Sequence, residues 1–332
     1  MSELLHLDRV VADGYHNAFT DLLFWRGHYY LSFRKAQHHG ITPPGTVVIL
    51  RSADLTDWEP AAVLNTGGDD RDPKLVDAGD KIGVVFGTWF PRWNADSLTN
   101  GDEDLISHVS TSRDGLCWSA PKQVHGINYW LWRVLADGAN GFYCAPYHFP
   151  GRARRTDRSI HLLHSDDLLE WRHLGTMREL DDQGEAVLYR STPDTLRCII
   201  RRNGSDGCSY IGESSAPYTD WQWRSLEVCI HAPVMLETET GWICSGRSRP
   251  GDLPPGTVEP DSGSHTSVWR IPDEGAAEHL LTVPSAGDCS YCGFAKAPNG
   301  DVLMSYYSQH DRMPLDGGMP TPADVYIARI KM

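Results

Sequence analysis

Arginine, histidine and tyrosine recur at corresponding places in successive segments of this 332-residue chain. One set opens short apolar runs: His16 and Asn17, Arg71 and Asp72, Trp132 and Arg133, Glu185, His231, and Tyr291. A second set closes the apolar runs that follow: Arg34, His38, His39, Trp89, Arg92, Tyr147, Arg201, Arg202, Arg247, Arg249 and Tyr307. Arginine binds a carboxylate through a two-pronged hydrogen bond, and Tyr, Trp and His offer ring faces and hydrogen bonds to a sugar. These residue types predict a site for an anionic saccharide.

Several of the arginines have simpler structural interpretations. Arg71 stands in the sequence DDRD and could pair with one of its neighbouring aspartates. Arg201 and Arg202 are adjacent in a strand, so only one of the two side chains can face a shared site. Arg247 and Arg249 are two residues apart and can share a face.

The titratable candidates also have structural alternatives. Glu185 could be a turn carboxylate, and His38 or His39 could be solvent-exposed loop histidines. His16 directly precedes an apolar strand, so it is either functional or a hydrogen-bonded core histidine.

A seven-residue pattern with Ser first and Trp last repeats along the chain. It reads SADLTDW at 52–58, SRDGLCW at 112–118, SDDLLEW at 165–171 and SAPYTDW at 215–221. Successive copies are 60, 53 and 50 residues apart, which is about the length of one four-stranded blade of a β-propeller. Each copy predicts a hairpin between the outer strands of a blade, with Ser or Asp capping the turn and Trp packing between blades.

Two apolar runs precede most of these patterns. The first runs of successive units are GYHNAFTDLLF, DRDPKLV, WLWRVLA, QGEAVLY, IHAPVML and SYCGFAK. They predict one all-β domain over 1–332, a six-bladed propeller with seven blades as the alternative. The last unit lacks an outer strand, which the N-terminal LLHLDRVV can supply, removing an open sheet edge.

The hairpin topology predicts where a site lies. In an antiparallel hairpin, the start of the first strand and the end of the second lie at the same end. Repeated around a ring, these positions converge on one mouth of the central tunnel, and the Ser-to-Trp hairpins lie on the opposite face.

Composition excludes some classes of protein. The 30 basic and 44 acidic residues give a net charge of −14, which argues against nucleic-acid or anionic-membrane binding. With no basic and apolar leader at the N-terminus, we expect a cytoplasmic protein whose eight cysteines are reduced thiols. The sole C-x-x-C, at 289–292, has no second pair, so no metal or cofactor is predicted, although a structural calcium stays open.

The Ser-to-Trp segments resemble the Asp box of sialidase-like propellers. Segment 112–118 carries the Ser, Asp, Gly and Trp of that motif; 52–58 and 165–171 lack the glycine, and 215–221 lacks both Asp and Gly. Together with GYHNAFTDLLF, RDPKLV, WLWRV and GDCSYCGFAKAPNGDVLMSYYSQH, they make nearly the whole chain similar to proteins described as exo-sialidases.

The resemblance implies roles for particular residues. Sialidases hold the substrate carboxylate with three arginines, use a Tyr/Glu pair as nucleophile and base, and use an Asp as the acid. By position, the arginines correspond to Arg71 or Arg34, Arg202 and Arg247, and the pair to Tyr291 and Glu185. The Arg-Ile-Pro sequence that opens a sialidase first blade is missing.

The HNAFTDL opening is also similar to propeller lyases acting on rhamnose-glucuronate or ulvan. That resemblance implies His16 as base or acid, assisted by His38 or His39, Tyr147, and Arg71 or Arg202. An arginine would neutralise the uronate carboxylate beside the proton that is removed.

We therefore expect an enzyme that cleaves a terminal glycosidic bond of an anionic oligosaccharide by hydrolysis or elimination. The residues expected to bind substrate are Arg34, Arg71, Asp72, Trp132, Arg133, Arg202, His231 and Arg247; those expected in catalysis are His16, His39, Tyr147, Glu185 and Tyr291. A non-catalytic glycan-binding propeller is the alternative, and a protein-interaction propeller is a third possibility.

Overall fold

The predicted apolar runs form antiparallel strands in the structure, a computed structural model that describes residues 2–90, 104–149, 158–203, 207–313 and 322–332. Arg92 lies outside these residues. The described residues form six sheets, arranged as the blades of a β-propeller. The predicted six-bladed fold is confirmed.

The strands run in chain order around the ring. The chain opens with β1 (Glu3–Val11). Blade 1 contains β2 (His16–Trp25), β3 (His28–Ala36), β4 (Thr46–Ser52) and β5 (Glu59–Leu64). Blade 2 contains β6 (Asp69–Asp77), β7 (Ile82–Phe90), β8 (Asp104–Ser112) and β9 (Lys122–Val124). Blade 3 contains β10 (Tyr129–Trp130), β11 (Val134–Ala136), β12 (Phe142–Cys144), β13 (Tyr147–His148), β14 (Arg158–Ser165) and β15 (Trp171–Asp181).

Blades 4 to 6 are four-stranded, like blades 1 and 2. Blade 4 contains β16 (Gln183–Thr192), β17 (Thr195–Arg202), β18 (Tyr210–Ser215) and β19 (Gln222–Ser225). Blade 5 contains β20 (His231–Thr238), β21 (Gly241–Ser248), β22 (His265–Arg270) and β23 (Glu278–Val283). Blade 6 contains β24 (Ser290–Lys296), β25 (Val302–Ser308), β26 (Asp324–Lys331) and the N-terminal β1.

The N-terminal strand closes the ring as predicted. Strand β1 pairs antiparallel with β26 from Glu3 opposite Lys331 to Val11 opposite Val325. The pairing covers the edge that β26 would otherwise expose.

Blade 3 departs from the regular pattern. The expected inner strand at 130–136 is interrupted between β10 and β11, and the second strand is likewise divided into β12 and β13. Trp132 and Arg133 lie in the first interruption, so they are not part of a strand.

The hydrophobic core is distributed between the blades. One cluster joins Leu31 of blade 1 to Leu303 of blade 6, and another joins Val234 of blade 5 to Met304 of blade 6. Because neighbouring blades cover both faces of these strands, their side chains are buried on both faces. All seven residues of β25 are buried.

The Ser-to-Trp segments form the predicted turns between third and fourth strands. In segment 112–118, Gly115 N donates to Ser112 Oγ at 2.9 Å, and the amides of Leu116 and Cys117 donate to Asp114 Oδ1 at 2.9 and 2.7 Å. Segments 52–58 and 165–171 repeat this set of bonds.

The tryptophans of these turns pack under the hairpin. The indole nitrogen of Trp118 donates to Gly115 O at 3.2 Å, and its ring packs on a cluster formed by blades 1 and 2. The turn residue that accepts this bond has a positive φ in every copy: Leu55, Gly115, Leu168 and Tyr218. Three copies therefore place a side chain where glycine is favoured.

All eight cysteines lie in the described part of the chain, and none of them forms a disulfide. The described helices include the 3₁₀ turns Gly138–Asn140, Pro250–Asp252 and His310–Arg312. No described helix has the length and apolar character needed to cross a membrane.

Candidate active site

A cavity of about 560 Å³ lies where the inner strands begin. Eight residues singled out from the sequence line it: His39, Arg71, Asp72, Trp89, Tyr147, Glu185, Arg201 and Tyr291. The other lining residues are Phe19, Trp130, Phe149, Arg158, Asp182 and Asn203.

Irregular backbone at the start of the inner strands positions several lining side chains. Phe19, Asp72 and Tyr291 all have positive φ, at 61°, 56° and 52°. Each lies where the register between the first two strands of its blade shifts. A bulge bends the strand and redirects a side chain, and such strain is retained where the surrounding fold enforces it.

Tyr291 and Glu185 form a hydrogen-bonded pair in the cavity. The Tyr291 hydroxyl donates to Glu185 Oε1 at 3.0 Å. Arg201 Nη1 donates to both oxygens of Glu185, at 2.8 and 3.0 Å, and lies 3.3 Å from the Tyr291 hydroxyl. The phenol, the carboxylate and the guanidinium thus form one compact group.

The electrostatics of this group favour a neutral phenol beside an ionised carboxylate. Burial raises the pKa of Tyr291 well above that of an ordinary phenol, and the nearby Glu185 raises it further. Burial alone would raise the pKa of Glu185, but Arg201, His231 and the Tyr291 hydrogen bond hold it below its usual value. Glu185 is therefore able to accept the Tyr291 proton.

Asp72 is a second buried carboxyl group in the cavity. Asp72 is 7% exposed, and its Oδ1 atom has no hydrogen-bond partner. Burial raises the pKa of Asp72 to about 6, against the opposing effects of Lys74 and Arg71. Asp72 can therefore carry a proton near neutral pH.

Three arginines reach the cavity from different blades. Arg71 lines the cavity and also donates to Asp69 Oδ2 at 2.7 Å. It therefore pairs with a neighbouring aspartate, as the sequence suggested, while still facing the cavity. Arg158 donates to Gln183 O at 3.2 Å, and its buried Nε has no partner. With Arg201, they bring three guanidinium groups, which are suited to binding a carboxylate, to a cavity that is also lined by Asp72, Asp182 and Glu185.

Aromatic rings line the cavity beside these arginines. Arg158 lies 4.4 Å from the ring centroid of Phe149, and Arg71 lies 5.9 Å from that of Trp89. Trp130 and Tyr147 are stacked 6.4 Å apart. The cavity combines charged recognition with flat surfaces of the kind that pack on sugar rings.

His16 and His39 meet at Asp288, next to the cavity. His16 Nε2 lies 2.9 Å and His39 Nδ1 2.5 Å from the same atom, Asp288 Oδ2. His39 lines the cavity, whereas His16 is 1% exposed and does not. We refer to these three residues as the His-Asp-His cluster.

Some predicted binding residues serve other contacts. Arg34 is buried and donates to Asp69 Oδ1 at 2.6 Å, and Arg133 donates to Asp21 at 2.9 Å. Arg247 donates to Asp288 Oδ1 at 3.0 Å and to Cys289 O at 2.7 Å. None of these three lines the cavity.

Arg202, Trp132 and His231 also lie outside the cavity lining. Arg202 lies over the Tyr210 ring at 4.3 Å, because alternation along β17 sends it to the face opposite Arg201. Of this adjacent pair, Arg201 lines the cavity and Arg202 does not. Trp132 packs edge-on against Tyr291, and His231 Nε2 lies 3.1 Å from Arg202 O.

The sequence prediction missed residues outside the first two strands of each blade. Arg158 begins a third strand, and Asp182 and Asp288 precede first strands. In an antiparallel blade, the third strand begins at the same end as the first strand, so its first residue also lies at the mouth. Arg158 is such a residue and could have been predicted on that ground.

No family model and no curated protein matches the sequence. Among solved structures, the chain is similar to Trypanosoma rangeli sialidase in complex with sialic acid, at 10% identity and TM-score 0.65, covering 95% of this chain and 54% of that one. It is similar to phage phi92 endosialidase at 11% identity and TM-score 0.65, and the match covers 98% of this chain and 69% of the endosialidase chain. It is also similar to a Bombyx mori GH32 β-fructofuranosidase at 11% identity and TM-score 0.54, and the match covers 95% of this chain and 62% of that chain.

These similarities establish the fold. The chain spans about half the length of the Trypanosoma rangeli sialidase chains that it matches. The three structural neighbours share the propeller fold that was expected from the sequence.

Proposed function

We propose that this protein is a glycoside hydrolase that releases a terminal anionic sugar, with Tyr291 as its nucleophile. The observation that carries the proposal is the hydrogen-bonded group of Tyr291, Glu185 and Arg201 inside the cavity. The structurally similar Trypanosoma rangeli sialidase is described in complex with sialic acid.

The charges in the cavity support an anionic substrate. Arg71, Arg158 and Arg201 converge on it from blades 2, 3 and 4. In an acidic protein, this convergence of guanidinium groups favours a carboxylate ligand through charge-assisted hydrogen bonds. The sugar ring would pack on the exposed faces of the aromatic rings.

A neutral nucleophile suits such a substrate. A carboxylate nucleophile would be repelled by the negative charge of the sugar, whereas a protonated phenol is not. Because the pKa of Tyr291 is raised, the phenol needs a base during attack, and Glu185 lies at hydrogen-bonding distance to serve as one.

The proton transfers balance over two steps. In the first, the Tyr291 oxygen bonds to the anomeric carbon, its proton passes to Glu185, and protonated Asp72 donates to the departing glycosidic oxygen. In the second, ionised Asp72 takes a proton from water, the water oxygen bonds to the anomeric carbon, the bond between that carbon and the Tyr291 oxygen breaks, and Glu185 returns its proton to Tyr291. The two steps regenerate all three residues and replace the glycosidic bond by a hydroxyl group.

The test uses 4-methylumbelliferyl glycosides of sialic acid and of glucuronic acid, with release of the fluorophore as the readout. We expect Tyr291→Phe to reduce kcat at least about a thousandfold, since it removes the nucleophile. Tyr306→Phe is the matched control, because the Tyr306 hydroxyl donates to Pro284 O at 2.8 Å and lies outside the cavity. A fluorinated sialic acid should add its mass to the peptide that contains Tyr291.

Three outcomes would contradict the proposal. Tyr291→Phe with unchanged turnover removes the nucleophile role. A product that absorbs in the ultraviolet as an unsaturated uronate indicates elimination instead of hydrolysis. Sugar binding without turnover in the unmodified protein, and with equal affinity in Glu185→Gln, indicates a glycan-binding propeller.

A further inference from the structure

We propose that the His-Asp-His cluster, formed by His16, His39 and Asp288, binds a divalent transition-metal ion of the zinc type at the edge of the cavity. This inference goes beyond the hydrolase proposal and does not depend on it. It rests on the convergence of three donor atoms, on the contacts that orient them and on the opening beside them.

The three donors come from distant parts of the chain. His16 begins β2, His39 lies in the loop after β3, and Asp288 lies just before β24. Their ligand atoms all lie within 4.8 Å of one another. In a tetrahedral zinc site with bonds of about 2.0–2.1 Å, donor atoms are about 3.3 Å apart, so a small outward shift of the imidazoles would admit an ion.

Outer contacts orient the carboxylate towards the histidines. Tyr307 donates its hydroxyl to Asp288 Oδ1 at 2.7 Å, and Arg247 Nη2 donates to the same atom at 3.0 Å. Oδ2 is thereby left facing His16 and His39. Ligating carboxylates in metal sites are typically held by outer hydrogen bonds of this kind.

The loop that carries His39 is also fixed by hydrogen bonds. Arg34 donates to His38 O at 3.0 Å and to Gly40 O at 2.7 Å, and Arg71 donates to His39 O at 2.9 Å. Three successive carbonyl groups are therefore anchored. Such anchoring reduces the conformational entropy that would be lost when an ion binds.

The donor set indicates the type of ion. Two imidazole nitrogens and one carboxylate oxygen suit Zn²⁺, Co²⁺, Ni²⁺ or Fe²⁺, whereas Ca²⁺ and Mg²⁺ prefer oxygen ligands. The side chains of His16, Asp288 and His39 are 2%, 21% and 54% exposed. The site is thus closed on one side and open on the other, which leaves room for water or a substrate oxygen as a fourth ligand.

The direct test measures ions bound to the full chain after removal of any affinity tag. The protein is treated with a chelator, dialysed against ZnCl₂ or CoCl₂ and analysed for metal per chain, with calorimetric titration of each ion. We expect one bound ion that is lost in His39→Ala, with more than about a tenfold decrease in affinity, since even outer partners of metal ligands contribute that much. Bound Co²⁺ should give visible absorption that disappears in the same variant.

The matched control is His38→Asn. His38 Nδ1 accepts a hydrogen bond from Gly40 N at 3.0 Å, and an asparagine oxygen can accept the same bond. This control should bind the ion as the unmodified protein does. Tyr307→Phe should weaken binding by about tenfold through loss of the outer contact.

The design separates ion binding from folding and from hydrolysis. His39 is half exposed, so its variant is expected to fold, and circular dichroism checks this. The proposal is overturned if the unmodified protein binds no ion, or if His39→Ala keeps the same number of ions with the same affinity. In that case the cluster is a hydrogen-bonded group that positions His39, and the hydrolase proposal is unaffected.

Discussion

Asp114 in a Ser-to-Trp turn and Asp72 at the tunnel mouth are the same residue type in opposite environments. Asp114 accepts backbone hydrogen bonds from Cys117 and Leu116, which hold its pKa well below the usual range. Asp72 is buried with one oxygen unpartnered, and its pKa is raised to about 6. The turn satisfies its carboxylate, whereas the mouth leaves a carboxylate available for chemistry. This difference separates the end of the propeller that stabilises the fold from the end that is proposed to act.

The comparison extends to the backbone. Leu168 in a turn and Asp72 at the mouth both have positive φ, at 74° and 56°. The amide of Leu168 donates to Ser165 Oγ at 3.0 Å and its side chain is fully buried, so local bonds and packing stabilise that conformation. At the mouth, Asp72 lies at a register shift between β6 and β7. Its conformation is therefore stabilised by the pairing of these two strands and not by bonds within a turn.

Asp72→Asn should produce the largest effect and should change activity and stability in opposite directions. Loss of the proposed acid should lower kcat by about a hundredfold to ten-thousandfold. Removing a buried carboxylate should raise the free energy of unfolding at pH 7 by roughly 1–3 kcal/mol. Steady-state kinetics and urea unfolding measure the two effects; a variant that is both active and less stable would contradict the assignment.

The pH dependence of Asp72 sharpens the same prediction. Its pKa of about 6 in the folded state exceeds the ordinary value of 3.8, so the unfolded chain releases its proton first. The stability of the unmodified protein should therefore fall as pH rises from about 4 to about 6, and kcat/KM should fall above about pH 6. Both changes should be absent from the Asp72→Asn profiles.

Arg158→Met should weaken substrate binding. The methionine keeps apolar contact with Phe149 but removes a charged donor, so KM for an anionic glycoside should rise about tenfold to a hundredfold. KM for the neutral methyl ester of the same sugar should change little. Arg172→Met, on the outer strand β15, is the control; an equal effect on both substrates would show that Arg158 does not bind the carboxylate.

Trp118→Ala should affect stability without affecting the cavity. This half-buried ring packs between blades 1 and 2, and its loss should lower the free energy of unfolding by about 2 kcal/mol. Leu116→Ala in the same turn removes an exposed side chain and should change stability by less than about 0.5 kcal/mol. KM should be unchanged in both variants. A large change in KM for Trp118→Ala would contradict the conclusion that the turn end stabilises the fold without affecting the cavity.

Asp167→Asn should have the smallest effect. Partial burial alone would raise the pKa of Asp167, but hydrogen bonds from the amides of Glu170 and Leu169 lower it below 3.8. Its contribution is present above pH 3.8 and is lost as pH falls through the lower folded value. The variant should lose less than about 1 kcal/mol at pH 7, because the group is largely solvated, and this difference should vanish in strongly acidic urea titrations.

The turn end of the molecule could be predicted from the sequence in some detail. Ser112, Asp114 and Trp118 make their bonds within seven residues, so their spacing alone defines the turn. The repetition of that spacing predicted the blades, and the apolar N-terminal run predicted β1 as the closing strand. Because the first strands of all blades begin at the same mouth, the sequence also predicted that Tyr291 and Glu185 lie at one site, although they are 106 residues apart.

The composition of the site depended on tertiary structure. Alternation allowed only one of Arg201 and Arg202 to face the cavity, and the register of β17 against β16 decided that it is Arg201. Asp288 gained two histidine partners from residues more than 240 positions away. The sequence by itself determined the local turns and favoured six blades over seven, because those features depend on short-range hydrogen bonds and apolar periodicity. Which charged groups are paired and which are left for a ligand depends on ring closure, since it sets the bulges and the burial that shift their pKa values.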